Sequence, residues 1–402
     1  MKKITDNLIR AYALKNAIAH GGKANAGSVV SSLFNEGLKK TDVKKIMPRI
    51  QEIIKEIETF DVETQQEEFE ELEDLVSERV VREGLPELPG AKENKVVMRF
   101  APAPSGPMHI GNAMTACISF LYVQKFGGKF YVRIEDTNPE NILPEAYKLI
   151  EEDSKWLFNK KAKIVIQSNR MELYYKYAKK LIKKNAAYVC ECSQEKFKFY
   201  SDEKKNCPCR KLSVEENLIR WKKMLDAGGY DEGEAVLRFK SNMKDKNPAM
   251  RDFPFARINL SYHPLQKLKY RVWPLMNLAV TVDDIELGMT HIIRGKDHRD
   301  NAKRQEMIYK VLGKKYPWSG FLGRYKFKDF ELSKTKIVEG IKNGLYSGWD
   351  DPELPTIAAL REKKLKPKAF WKFAEKVGLS ENDKVIDKKE FFTLLNDFNK
   401  RV

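Results

Sequence analysis

The 402-residue chain predicts an α/β fold: a doubly wound parallel sheet, broken by an inserted domain, with a helical domain before it and a mainly helical segment after. From Lys95 onward, short, largely apolar runs alternate with helical stretches, as suits strands covered on both faces. The alternation stops between about Cys190 and Pro264, where cysteines, loops and isolated strand-like pieces gather, and it resumes after that. Residues 1 to about 93 carry helical periodicity alone, and after Gly323 short strands give way to basic, helical sequence.

Taken in order, Ile4, Leu8, Ala11 and Tyr12 share a helix face, Gly21-Gly22 breaks the chain, and Ile46, Ile50, Ile53, Ile54 and Ile57 draw a second apolar stripe. Acidic residues 63–73 read as a solvated helical face, and Pro86, Pro89 and Gly90 mark a linker. Residues 96–101 suit a buried parallel strand and 113–125 a helix. Strand 129–134, helix 144–158, strand 163–166 and helix 171–184 follow, the last with Tyr174, Tyr175 and Tyr177 near its start. Inside the break 236–240 is strand-like, and beyond it come strand 290–293, helix 301–312 and a closing helix 388–400. The domain limits are therefore 1–93, 94–189, 190–264, 265–330 and 331–402.

No apolar run approaches bilayer length, and Met1-Lys2-Lys3 leads into an amphipathic helix, so a cytoplasmic protein without membrane contact is expected. Seventy-four Lys and Arg stand against 57 Asp and Glu, a formal net charge of +17, while the acidic residues concentrate between Glu52 and Glu93. The asymmetry suits a polyanionic partner, most simply nucleic acid; a lysine-rich surface of background composition gives the same balance.

The segment from Arg99-Phe100-Ala101-Pro102 through His109-Ile110-Gly111-Asn112 is a strand turning through a Pro- and Gly-shaped loop into a helix. A helix start offers unpaired N–H groups and partial positive charge to phosphates, Gly106 and Gly111 permit close approach, and His109 can donate to a phosphate oxygen. A capped helix with a satisfied histidine is the alternative. Arg133-Ile134-Glu135-Asp136 puts ionisable groups at a strand's carboxyl end, where Glu135 and Asp136 point in opposite directions and only one need face a ligand. An ion-paired strand end capping the next helix reads equally well. Gln167-Ser168-Asn169-Arg170 reads structurally, as a helix cap ahead of packing tyrosines. Arg294 ends a strand and offers a planar fork for a carboxylate, or a surface salt bridge. Ser333-Lys334-Thr335-Lys336 lies between a strand-like piece and a helix and by itself is an ordinary solvated loop. Four of the five cysteines form Cys190-Glu191-Cys192 and Cys207-Pro208-Cys209, which suits one tetrahedral zinc with four thiolates; free surface cysteines are the alternative, and Cys117 is a core residue.

In their order along the chain these segments resemble the class I aminoacyl-tRNA synthetases, in the glutamyl form of archaeal type. Arg99-Phe100-Ala101-Pro102 and His109-Ile110-Gly111 resemble the first class signature, Gly21 to Asn25 an element of the helical preface, Arg294-Gly295-Lys296-Asp297-His298 the glutamyl form of its strand, and Ser333-Lys334 the second signature. Gly348 to Pro352 and Leu354 to Thr356 extend the likeness over nearly the whole chain.

The resemblance implies a Rossmann-like catalytic domain whose insert holds a structural zinc and the tRNA acceptor end. It implies glutamate activation by ATP with Mg2+, followed by transfer to tRNA, with no DNA partner. His109 and Lys334 would be catalytic; Arg99, Glu135, Asn277 and Arg294 would bind glutamate; Pro104, Gly106, His109, Gly111, Asn112, Ser333, Lys334 and Lys336 would bind ATP. Residues 247–252, Arg257 and Tyr270 to Trp273 would lie near the acceptor end, holding phosphate or stacking on bases, with a plain packing role the alternative for any one of them.

Departures from the family pattern are Asn112 for the second histidine, Asn138 for an aspartate, Met276 for a tyrosine and Glu331 for the first lysine of the second signature. Relatives continue into anticodon-reading β-barrels, so the expectation is either a shortened chain or a barrel supplied as a separate subunit. Charging of tRNA for glutamine, a glutaminyl enzyme and a catalytically silent tRNA-binding paralogue stay open at this point.

Overall fold

The computed structural model describes residues 4–77, 84–330 and 333–402. It comprises two compact units, Met1–Arg82 and Glu83–Val402. In the first, α1 (Asp6–Ile18), α2 (Ala26–Asn35), α3 (Val43–Ile57) and α4 (Val62–Leu72) enclose a core of Leu8, Leu14, Val29, Ile50, Ile53 and Ile57. Thr5, Asn25 and Asp61 cap α1, α2 and α4, each side chain accepting an N–H of the first turn. The Gly21-Gly22 break is held by buried Gln65, whose amide donates to Gly22 O (3.1 Å) and Ile57 O (2.8 Å).

In the second unit β1 (Val96–Phe100), β2 (Gly128–Ile134) and β3 (Ala162–Ile166) form a parallel sheet in that order. Between them run α5 (Ile110–Phe126) and α6 (Ala146–Leu157), and α7 (Met171–Lys183) follows β3. An antiparallel sheet comes next, β4 (Ala187–Cys190), β5 (Val236–Phe239), β6 (Pro254–Ile258) and β7 (Val272–Pro274), with α8 (Gln194–Asp202) and α9 (Val214–Leu225) between its first two strands. It thus reaches beyond 190–264 on both sides. Its outer strands are short and wholly buried, and burial alone does not tell a reader of the sequence which sheet they join.

After α10 (Met276–Glu286) the parallel pattern resumes with β8 (His291–Gly295), α11 (Arg299–Val311) and β9 (Trp318–Leu322), β8 pairing parallel to β9. Thr290 donates its N–H to Val97 O (3.0 Å) and accepts from Val97 N (2.9 Å), which brings β8 alongside β1. With β2 on the other side, β1 is the point where the strand order reverses, the usual place for a ligand in such sheets. The chain ends with β10 (Tyr325–Phe327), α12 (Lys334–Lys342), α13 (Ile357–Glu362), α14 (Pro367–Val377), β11 (Lys384–Ile386) and α15 (Lys388–Lys400).

Two large cores organise this unit. One runs from β1, β2 and α5 into α14 and α15, where Phe120 meets Phe130, Phe158 and Trp371 at centroid distances of 5.1–5.5 Å. Cys117 is buried in it. The other joins α7, α9 and α10 to the antiparallel sheet. Pro86 to Gly90, expected as a linker, packs on the unit instead: Leu88 is buried, Tyr122 OH donates to Pro86 O (2.9 Å) and His291 Nε2 meets Pro89 O (3.0 Å). Among the described residues no helix is long and apolar enough to cross a membrane.

Candidate active site

The carboxyl ends of β1, β2 and β8, with α5, α10 and α11, surround a cavity of about 250 Å³. Arg99, Asn112, Glu135 and Arg294 line it, so four of the residues singled out in the sequence converge on one space. Asn277 does not line it. The helix α10 turns Met276 and Val280 to the cavity, while Asn277 is buried and donates to Asn301 Oδ1 (3.4 Å).

Charge pairing around the cavity is dense and incomplete. Arg133, fully buried, donates from Nη1 to Asp284 Oδ1 (2.6 Å) and from Nη2 to Glu135 Oε1 (2.8 Å); Arg99 Nε reaches the same Asp284 oxygen at 3.4 Å. Burial opposes ionisation of Asp284, but Arg133, Arg99 and Arg294 outweigh it and hold the carboxyl below its ordinary value. Burial pulls Arg99 below the usual arginine value.

Arg294 donates Nη1 to Gln305 Oε1 (2.9 Å), whereas its Nε and Nη2 are buried with no hydrogen-bond partner among the described residues. These two nitrogens share one edge of the guanidinium, the edge that receives a carboxylate through two parallel bonds. Three guanidiniums, of Arg99, Arg133 and Arg294, thus surround the carboxylates of Asp284 and Glu135, and the pocket has room for one further negative charge.

The sequence reading passed over Gln305, which lines the cavity, and Arg133 and Asp284, which stand behind its lining and hold Glu135 and Arg99. Asp283-Asp284 inside an otherwise apolar helix was the available signal, since buried carboxylates need partners. Gln305 gives no signal. Asp136 faces away from the cavity, accepting Ser168 N–H (2.8 Å) and Tyr147 OH (2.7 Å). Asn138, in place of an aspartate, accepts from Arg257 (2.9 Å).

Beside the cavity lies the loop before α5. His109 is the N-cap of α5: its Nδ1 accepts Gly111 N–H (3.1 Å), and Asn112 Oδ1 accepts His109 N–H (2.9 Å), a reciprocal capping box. The box starts the helix at Ile110, three residues ahead of the sequence estimate. It also corrects the picture of a bare helix start, because Gly111 N–H is spent on His109 and Ile110 N–H on Pro355 O (3.0 Å). With Nδ1 accepting, neutral His109 must carry its proton on Nε2. Burial, helped by nearby Lys334, lowers its pKa to about 4, so it is a neutral donor at pH 7. Asn112→Ala removes the acceptor for His109 N–H; a loss of about 1 kcal/mol in urea unfolding is expected, with Asn112→Asp close to wild type.

Pro104 is buried, its carbonyl accepting Leu143 N–H (2.8 Å). Lys334, the first residue of α12, donates to Ser105 Oγ (3.2 Å). A Cβ on Gly106, whose φ is +149°, would stand 3.2 Å from Lys334 Cδ and 3.3 Å from the Trp349 ring, so glycine is what lets the lysine lie over the loop. Burial lowers the Lys334 amine to about 8. Ser333 and Lys336 are exposed at the start of α12; Glu331 and Leu332, and with them the replaced lysine of that motif, lie outside the described residues.

Gln167 and Arg170, read as a helix cap, make no cap: both reach Asp283, a partner distant in the chain that local spacing does not reveal. Trp273, expected near bound bases, is buried and stacked on His263 with centroids 4.8 Å apart, so it has no face for a base.

In the inserted sheet, Cys190, Cys192, Cys207 and Cys209 bring their sulfurs within 4.8 Å of one another, with Cys190–Cys207 at 3.8 Å and Cys192–Cys209 at 3.9 Å. These separations exceed the roughly 2.05 Å of a disulfide and match the ~3.8 Å edge of a thiolate tetrahedron whose zinc–sulfur bonds are about 2.3 Å. Cys209 also accepts Glu191 N–H (3.5 Å), a contact typical of thiolate ligands.

A family model described as "tRNA synthetases class I (E and Q), catalytic domain" matches residues 95–397. The chain is similar to the glutamate–tRNA ligase of Methanocaldococcus jannaschii, 44% identical over 376 residues that cover 93% of this chain and 67% of that one. It is similar to the glutamate–tRNA ligase of Pyrococcus horikoshii, 45% identical over 386 residues, again 93% and 67%. Among solved structures, glutamate-tRNA synthetase from Elizabethkingia anophelis shares the fold at a TM-score of 0.53 and 20% identity, over 76% of this chain and 70% of that one.

Proposed function

The chain belongs to the class I tRNA synthetases of the E and Q type, and on that footing we propose that it is a glutamate–tRNA ligase, joining glutamate to the 3′ end of tRNA at the expense of ATP. One observation carries the choice of amino acid: Arg294, which lines a cavity together with Arg99 and Glu135, keeps one guanidinium edge buried and unpaired among the described residues. Glutamate has two carboxylates and one ammonium, a net charge of −1, which answers that set group for group. Arg294 takes the side-chain carboxylate, Arg99 the α-carboxylate and Glu135 the ammonium, with Asp284 and Arg133 fixing the last two.

An α-carboxylate oxygen attacks the α-phosphorus of ATP; the bond from that phosphorus to the bridging oxygen breaks, giving glutamyl-adenylate and pyrophosphate. The leaving pyrophosphate gains charge, and in this reading the His109 Nε2–H and the Lys334 ammonium answer it, together with Mg2+ carried on the phosphates; the neutral Nδ1-accepting histidine and the lysine over Ser105 support the reading. A ribose hydroxyl at the tRNA end then attacks the carbonyl carbon and AMP leaves. No side chain needs to act as a nucleophile.

We assign the four cysteines of the insert to one structural zinc, which would tie β4 to the loop before α9 and take no part in the reaction. The expected metal content is one zinc per chain; Cys207→Ser loses it and lowers the thermal midpoint of the insert, with no change in the glutamate KM. Cytoplasmic location and an anticodon-reading partner subunit belong to the same reading.

The deciding experiment is charging of tRNA with labelled glutamate, glutamine and aspartate in parallel. Glutamate alone should be attached. Preference for glutamine would make the chain a glutaminyl enzyme, and tRNA binding without any charging would make it the silent paralogue.

A further inference from the structure

Gln167, Ser168, Arg170 and Tyr174 have no part in the reaction above, yet they converge on two buried carboxylates, one the sequence neighbour of Glu135, which lines the cavity, the other of Asp284, which holds Arg99 and Arg133. Ser168 N–H donates to Asp136 Oδ1 (2.8 Å), next to Glu135. Asp283, next to Asp284, accepts Arg170 Nε–H on Oδ1 (2.7 Å), and Gln167 Nε2–H (2.9 Å) and Tyr174 OH (2.8 Å) on Oδ2. Asp136, Asp283, Gln167, Ser168 and Tyr174 are all almost wholly buried.

We propose that the 167–174 segment is a positioning element for the amino-acid pocket, and that Arg170 and Tyr174 act on glutamate through Asp283. Two effects combine. Held from behind, the end of β2 and the face of α10 cannot rotate, so Glu135 stays turned to the cavity and Asp284 stays on Arg99 and Arg133. Arg170 also neutralises Asp283, whose next cation is Arg133, with Nε 3.8 Å from Asp283 Oδ2. Without Arg170 a buried carboxylate is left short of charge and draws Arg133 toward itself, away from Glu135 and Asp284. The groups that receive ammonium and α-carboxylate then lose their alignment, while the loop from Ser105 to His109, which is hydrogen-bonded to Lys334, Asp153 and Asn112, does not.

This inference rests on the cavity being the glutamate site, and the experiment separates the two. Steady-state charging of tRNA is measured on the full chain for wild type, Arg170→Ala, Arg170→Lys and Tyr174→Phe, varying glutamate and ATP separately, with thermal midpoints recorded. Arg170→Ala should raise the glutamate KM about tenfold or more with the ATP KM within about twofold, since one partner of a buried charge pair is removed. Arg170→Lys should recover most of that loss, because Arg170 uses a single nitrogen on Asp283. Tyr174→Phe should raise the glutamate KM roughly two- to fivefold, as loss of one hydrogen bond to a charged group would; it keeps the packing and serves where Arg170→Ala does not fold. A lowered thermal midpoint with both KM values unmoved, or equal rises in both, overturns the proposal. Wild type that attaches no glutamate overturns both this inference and the reaction it rests on.

Discussion

Arg294→Gln should raise the glutamate KM by about 100-fold, roughly 3 kcal/mol, while the chain still folds and still binds ATP. The size follows from burial. In wild type the free Nε and Nη2 donors already sit away from water, so their desolvation is met by the fold and a carboxylate gains both bonds at little further cost. Glutamine at this position offers one short amide and no charge, and it leaves Gln305 without its arginine partner. Arg294→Lys should restore little, since an ammonium lacks the two-pronged edge. Initial rates against glutamate concentration at saturating ATP decide the matter; an unchanged KM in Arg294→Gln would place the side-chain carboxylate elsewhere.

Lys334→Ala should lower kcat for adenylate formation by about 100- to 1,000-fold with a smaller change in glutamate KM, because its charge matters most when pyrophosphate is leaving. The same lysine sets the pH profile. Its folded value, about 8, lies below the ordinary 10.5, so the ammonium is present at pH 6 to 7 and is lost as pH rises through about 8. With the free enzyme, kcat/KM for ATP should therefore fall above pH 8 along a single-proton limb. Lys334→Arg should move that limb out of range. His109 should add no acid limb between pH 5 and 7, because burial holds it neutral down to about 4. Pyrophosphate exchange measured from pH 5 to 9.5 tests all three statements; a limb at pH 8 that survives in Lys334→Arg belongs to another group.

The parallel strands were legible because they are short, largely apolar runs set between helical stretches, and the cysteine pairs because each keeps a close local spacing. Arg99, Glu135, Asn112 and Arg294 were legible as residues of unusual type at strand or helix ends, and the fold brings them to one cavity. What supports them was not. Arg133 and Asp284 are 151 residues apart, and Gln167 and Asp283 are 116 apart; a pairing over that span leaves no periodicity to read. Asn112 shows the reverse case. It looked like a defect in a signature, and its oxygen instead completes the cap that orients His109. Trp273 misled because composition suggests stacking on a base, and only packing shows that His263 occupies its face.

The hydrogen bonds from Ile110 to Pro355 and from Ile357 to Met108 carry a consequence for how the protein is made. Since synthesis runs from the amino end, β1 and the loop at His109 leave the ribosome long before the segment that clasps that loop. Contacts between residues so far apart in the chain form late and slowly. A growing chain therefore exposes an unfinished loop at His109 until residue 357 has emerged, and a stall before that point yields a polypeptide with most of its fold but without the clasp on that loop.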